Sequence, residues 1–96
     1  MVMTILEGRL APEKWPTLEQ AYKKIAEQLL PQMTQTFLVH STAEPTLWRI
    51  ISVWRSHQAL EEMRRSTETP GGVLVFREAG AEPTLSVFDV VEHRAS

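Results

Sequence analysis

Between Leu47 and Trp54 the chain reads LWRIISVW, and six of these eight residues are apolar. β-Branched and aromatic side chains dominate the run, which suits a pleated surface. It is too short and too poor in helix signals to be a helix. Successive strand residues point to opposite faces. Leu47, Ile51 and Val53 therefore share one face, and Trp48, Ile50 and Trp54 share the other. A strand with one wet face alternates, whereas one that is apolar on both faces is covered on both. Ser56 comes next as an N-cap, since its hydroxyl can accept from a first-turn amide. The helix it opens, Ser56 to Thr67, has Ala59, Leu60 and Met63 as its inner stripe and Glu61 four residues before Arg65 as an outer ion pair.

The remaining elements are read by the same two periods. Val2 to Leu10 is the first strand, again apolar on both parities. Thr17 with Gln20 resembles a capping box. Leu18, Ala21, Tyr22, Ile25, Ala26, Leu29 and Leu30 then give helical spacing, so a helix is expected over 17–30, with Glu19 and Lys23 paired outside and Pro31 as its stop. Met33 to Thr42 is the second strand and AEPT at 43–46 is a turn. Thr69-Pro70-Gly71-Gly72 breaks the second helix. Residues 73–79 fit either a strand or a short helix that starts near Pro70 and closes on Gly80; the short helix is preferred. Leu85 to His93 is the last strand, and Arg94 to Ser96 should fray.

With 96 residues the chain is one domain, 1–96. A net charge of −2 with scattered basic residues argues against nucleic acid or an anionic membrane as a partner. There is no cysteine, so disulfides, thiolate nucleophiles and cysteine metal sites are excluded. No apolar run reaches membrane-spanning length and no signal peptide is evident, so a cytoplasmic setting is expected. No histidine pair has metal-ligand spacing, and there is no P-loop, dinucleotide fingerprint or nucleophile elbow. No metal and no cofactor are expected.

The order strand, helix, strand, strand, helix, strand predicts an α+β ferredoxin-like sandwich. A repeated AEPTL at Ala43–Leu47 and Ala81–Leu85, each leading into a strand, echoes that internal symmetry; AEPT is equally a convenient turn used twice. The expected layer is a four-stranded antiparallel sheet with two main helices on one face. Two helices cover only one face, and the other would be a large apolar patch. A second copy is the economical cover, giving a homodimer in which two sheets curl into a barrel.

Ile51-Ser52-Val53-Trp54-Arg55-Ser56 followed by His57-Gln58-Ala59-Leu60 resembles the signature of antibiotic biosynthesis monooxygenase domains. The resemblance spans the chain and implies the dimeric α/β-barrel fold, with a pocket for a small apolar or aromatic ligand. It implies, at its most specific, a cofactor-independent monooxygenase that lets an electron-rich quinol or polyketide-like ring reduce dioxygen in a dry cavity. The same fold serves non-catalytic ligand-binding or stress-related modules, isomerases and lyases. Haem-degrading members use an asparagine on the first strand and a histidine on the second helix. This chain has no asparagine, and Met63 falls at the histidine's spacing, which argues against that branch.

Candidate catalytic residues under this resemblance are His40, to take a phenol proton, and Arg49, to stabilise an anion. Trp48 and Trp54 are candidates for stacking on a flat substrate, and Tyr22 for lining the pocket from the first helix. Each has a plainer role open to it. His40 serves as a solvated strand histidine, and Arg49 as a snorkelling or dimer-pairing side chain. Trp54 and Tyr22 serve as core, and Trp15 as a cover for one end of the sheet. His57 should be exposed. Asp89, set among apolar residues, needs a partner if buried, with Arg49 or an edge amide of the other subunit as choices.

Overall fold

The computed structural model describes residues 1–28, 30–66 and 69–95. Strand β1 runs Val2–Arg9, helix α1 Trp15–Ala26, β2 Met33–His40, β3 Leu47–Trp54, α2 His57–Ser66, α3 Gly71–Glu78 and β4 Thr84–Asp89. The strands form one antiparallel sheet in the order β2-β3-β1-β4. This is the ferredoxin-like α+β sandwich that the order of elements predicts, with a third, short helix added.

The two parities of β3 resolve cleanly. Trp48, Ile50 and Trp54 lie on the face that packs against the helices, together with Val2 and Leu6 of β1. One core joins Leu6, Leu10, Trp48 and Ile50 to Leu18 and Ala21 of α1 and to Val75 and Phe76 of α3. A second joins Val2 and Trp54 to Leu60 and Met63 of α2. The other face carries Met3, Ile5, Leu47, Ile51, Val53, Phe37, Val39 and Phe88 by register. Phe37 is 46% and Phe88 51% exposed there. In the middle of that apolar face Arg49 Nε donates to Glu7 Oε1 at 2.6 Å, between register partners on β3 and β1.

Several boundaries differ from expectation for local reasons. Helix α1 starts at Trp15, because a 3₁₀ turn over Pro12–Lys14 runs straight into it; no capping box forms at Thr17. The helix also stops at Ala26, ahead of Pro31, where Gln28 N–H donates to the Ile25 carbonyl in a tightened last turn. Strand β2 ends at His40, because Ser41 Oγ accepts from the amides of Ala43 and Glu44 and turns the chain. Residues 71–78 are helical, the preferred alternative, with Gly80 at φ +86° ending them. Strand β4 leaves the ladder after Asp89. Ser56 does cap α2, accepting from Ala59 N–H at 3.0 Å, and Glu61 pairs with Arg64 in place of Arg65. Leu29 and Thr67, expected at helix ends, and Ser96, expected to fray, lie outside the described residues. No helix among the described residues is long and apolar enough to cross a membrane.

Candidate functional site

The helix-facing side of the sheet has two unlike ends. At the β3 start, His40 and Trp48 are register partners and stack, with ring centroids 4.0 Å apart at 7°. Trp15 meets both edge-on, at 4.6 and 5.9 Å, while its indole N–H donates to the Leu10 carbonyl at 3.1 Å. His40 Nε2 donates to the Pro45 carbonyl. Gly8, the register partner of Trp48 on β1, lies under Phe76; a Cβ there would come within 2.7 Å of that ring. This end is filled by its own rings. Trp48 is 4% exposed, and its Nε1 has no hydrogen-bond partner among the described residues.

At the β3 end the layers part and leave a cavity of about 110 Å³. Its floor is the sheet: Thr4, Leu6, Thr36, Ile50, Ser52 and Trp54. Tyr22 and Ile25 of α1, Leu60 and Met63 of α2, and Gly71 and Gly72 of α3 form its walls. The exposed members of the lining, Ile25, Gln28, Leu30, Arg64 and Leu85, mark its rim.

Across this floor runs one polar row. Thr36, Ser52 and Thr4 are successive register partners on β2, β3 and β1, so their side chains share a face and a line. Tyr22 Oη donates to Thr36 Oγ1 at 3.3 Å, and Thr36 Oγ1 lies 3.3 Å from Ser52 Oγ. Trp54 Nε1 donates to Thr4 Oγ1 at 3.0 Å. Thr4 and Ser52 are 8% and 6% exposed. Among the described residues the lining contains no carboxylate and no imidazole; Arg64, at the rim and already beside Glu61, is its charged member. Such a chamber can hold a flat apolar ring and hydrogen-bond its substituents, while its own groups supply little proton-transfer power near neutral pH.

Of the five side chains singled out in the sequence, the structure brings Tyr22 and Trp54 together in this cavity. Trp48 and His40 lie on the same face at the filled end. Arg49 lies on the opposite face, bound to Glu7, so His40 and Arg49 do not converge. Asp89 is exposed and pairs with His57, which is also exposed, in place of Arg49. Thr4, Thr36 and Ser52 were not singled out. For Thr4 and Ser52 the one sequence signal is a small hydroxyl residue on a parity otherwise carrying large apolar ones, as with Ser52 between Ile50 and Trp54; Thr36, on a parity shared with Thr34 and His40, carries none. Among the described residues no group of three or more His, Asp or Glu side chains is placed to hold a metal ion.

Comparison with known proteins gives the same outline. A protein of Deinococcus radiodurans assigned as an antibiotic biosynthesis monooxygenase superposes with a TM-score of 0.75 at 14% identity, covering 100% of this chain and 98% of that one. SnoaB of Streptomyces nogalater, a cofactor-independent oxygenase, gives a TM-score of 0.68 at 17% identity, with 96% and 94% covered. A Nitrosomonas europaea protein assigned to the same monooxygenases gives 0.73 at 13% identity, with 96% and 100% covered. At these identities the likeness is one of fold. Among curated proteins nothing matches the chain. The family model of the antibiotic biosynthesis monooxygenases matches residues 1–70, from β1 through α2, and the chain belongs to that family.

Proposed function

We propose that the chain binds a small, flat, hydroxylated aromatic molecule in the cavity beneath α1 and α2 and oxidises it with dioxygen, without a cofactor. The observation that carries this reading is the chamber itself: apolar walls, Trp54 at one side, and a row of hydroxyls across the floor. An anthrone illustrates the balance. Its methylene carbon loses two hydrogens, one oxygen atom becomes the quinone carbonyl, and the other leaves with those hydrogens as water. The protein's share is to orient the ring, exclude water and bond the ring oxygens. In this reading Tyr22 and Trp54 act at the site; His40, Trp48 and Arg49 stand outside it. Oxygen uptake with a panel of hydroquinones and anthrones tests it. Uptake should fall sharply in Trp54→Phe and Tyr22→Phe and persist in His40→Ala. Absence of uptake across the panel would end the oxygenase reading.

The lack of carboxylate and imidazole in the described lining favours a second reading, a ligand-holding module without chemistry, over an isomerase or lyase. Stabilisation by members of the same panel with no oxygen consumed would select it; a ligand at a hundred times its dissociation constant adds about 2.7 kcal/mol.

The proposal includes a homodimer, and it keeps the expectation of a cytoplasmic setting. Phe37, Val39, Ile5, Ile51 and Phe88 make the helix-free face an apolar patch that a second copy would cover through a two-fold contact. Light scattering should give twice the chain mass, and Ile51→Lys should reduce it to one. A wild-type monomer at micromolar concentration would refute the pairing.

A further inference from the structure

We propose that Thr4 and Ser52 form a two-hydroxyl cradle for a single ketone or phenol oxygen of the ligand, with Trp54 aiming the Thr4 side of it. The proposal rests on the reading that a flat ring occupies the cavity. It adds the atom by which that ring is held.

Thr4 and Ser52 are register partners on adjacent strands, and both line the cavity floor. Cα atoms so paired lie about 4.5–5.5 Å apart, so two short side chains can reach one atom between them. A count of protons shows what is left over. Each hydroxyl has one proton to give and two lone pairs. Thr4 Oγ1 accepts from Trp54 Nε1, and no acceptor for its own proton is found among the described residues. Tyr22, Thr36 and Ser52 hold three hydroxyl protons but share two bonds. Because Tyr22 donates into Thr36, a chain running in that sense leaves the spare proton on Ser52. Both bonds in that chain are 3.3 Å long, against about 2.7–2.8 Å for a strong hydroxyl bond, so they yield easily to a better acceptor.

Two buried donors without acceptors are unfavourable, and one oxygen with two lone pairs satisfies both. A ketone, phenol or phenolate oxygen qualifies; an ammonium group has no lone pair and would leave both hydroxyl protons without an acceptor. The flanking Leu6, Ile50 and Met63 then receive the apolar ring. Trp54 is a positioning residue here: its N–H occupies a lone pair of Thr4 and so turns the Thr4 proton away from the indole.

The test is calorimetric titration of the wild-type chain with 1-tetralone and tetralin, which share a ring system and differ by one ketone oxygen. The ketone is the better hydrated of the two. Despite that, it should bind the wild type at least as tightly as the hydrocarbon. Ser52→Ala and Thr4→Val should each weaken ketone binding about tenfold, as loss of one hydrogen bond implies, and move tetralin by less than twofold. Should Thr4→Val disturb the fold by circular dichroism, Thr4→Ser keeps the hydroxyl and must keep the preference while Ser52→Ala loses it. Equal losses for both probes, or a ketone preference that survives in the variants, would overturn it. Binding of neither probe to the wild type would remove the chamber reading and the cradle with it. Binding of both with no hydroxyl dependence removes the cradle alone.

Discussion

Trp48 and Trp54 sit six residues apart on the same strand and the same face, and both are almost fully buried. Trp48 stacks on His40, meets Trp15 edge-on, and keeps an indole N–H with no partner among the described residues. Trp54 gives its N–H to Thr4 and borders open space. Residue type, face and burial are the same; what differs is the size of the opposing side chains. Rings of α1's first residue and of β2 close one end. At the other end the floor carries Thr36, Ser52 and Thr4, small side chains that leave a gap beneath α1 and α2, bridged on one side by the long Tyr22–Thr36 hydrogen bond. The cavity on this sheet is therefore made by small residues under large ones, and aromatic content alone does not mark it.

The largest test of that contrast is truncation. Trp48→Ala should lower stability by about 3–5 kcal/mol, as deletion of a packed aromatic does, and Trp54→Ala by less, since one side of its ring already faces a void. Urea unfolding of the two variants compares them directly; equal losses would break the comparison. Next come the glycines. Gly8→Ala would press on the buried Phe76 ring at the filled end and should cost about 1–3 kcal/mol. Gly72→Ala meets Leu6 Cδ1 most closely, the end of a flexible side chain beside the cavity, and should cost less by the same measurement. Smaller again is the pair of indole substitutions. Trp54→Phe removes a hydrogen bond worth about 1 kcal/mol, whereas Trp48→Phe removes an N–H with no described partner and should be closer to neutral.

The smallest effect belongs to neither end and serves as a control. Arg77 of α3 forks onto Glu82, with contacts of 2.9 and 3.0 Å, and this hydrogen-bonded guanidinium holds the Glu82 carboxyl below the usual carboxylate range. A carboxylate lowered on folding lends stability that is present above its unfolded pKa and lost as pH falls through the folded one. The pair is exposed, so the effect is slight. Acid unfolding should be a little flatter in Arg77→Ala, with the cavity's ligand binding unchanged.

Much of this was legible from residues alone. The bounds of β3 were, because its two parities are both apolar and Ser56 caps the helix beyond it. Arg49 shares the parity of Leu47, Ile51 and Val53, away from the tryptophan face, and its candidacy beside His40 passes over that period. Tyr22 and Trp54 both face the cavity, as the helical stripe and the strand period require. The α1 end was not legible, since Pro31 sets only the latest stop and the chain tightened into a 3₁₀ turn before it. The hydroxyl row was hidden for a stronger reason. Thr4, Ser52 and Thr36 become neighbours only through the register of three strands, and no single segment encodes that. The same register set His40 beside Trp48, too far along the sheet to reach the chamber.

The chamber's floor comes from strands, but its rim includes Gln28 and Leu30 of the connection after α1, beside Ile25, Arg64 and Leu85. Connections tolerate insertion and exchange far better than strands do. A lineage built on this scaffold can thus acquire new tastes by swapping entrance segments while the foundation stays untouched. Grafting those segments between members is the natural route to redirecting one.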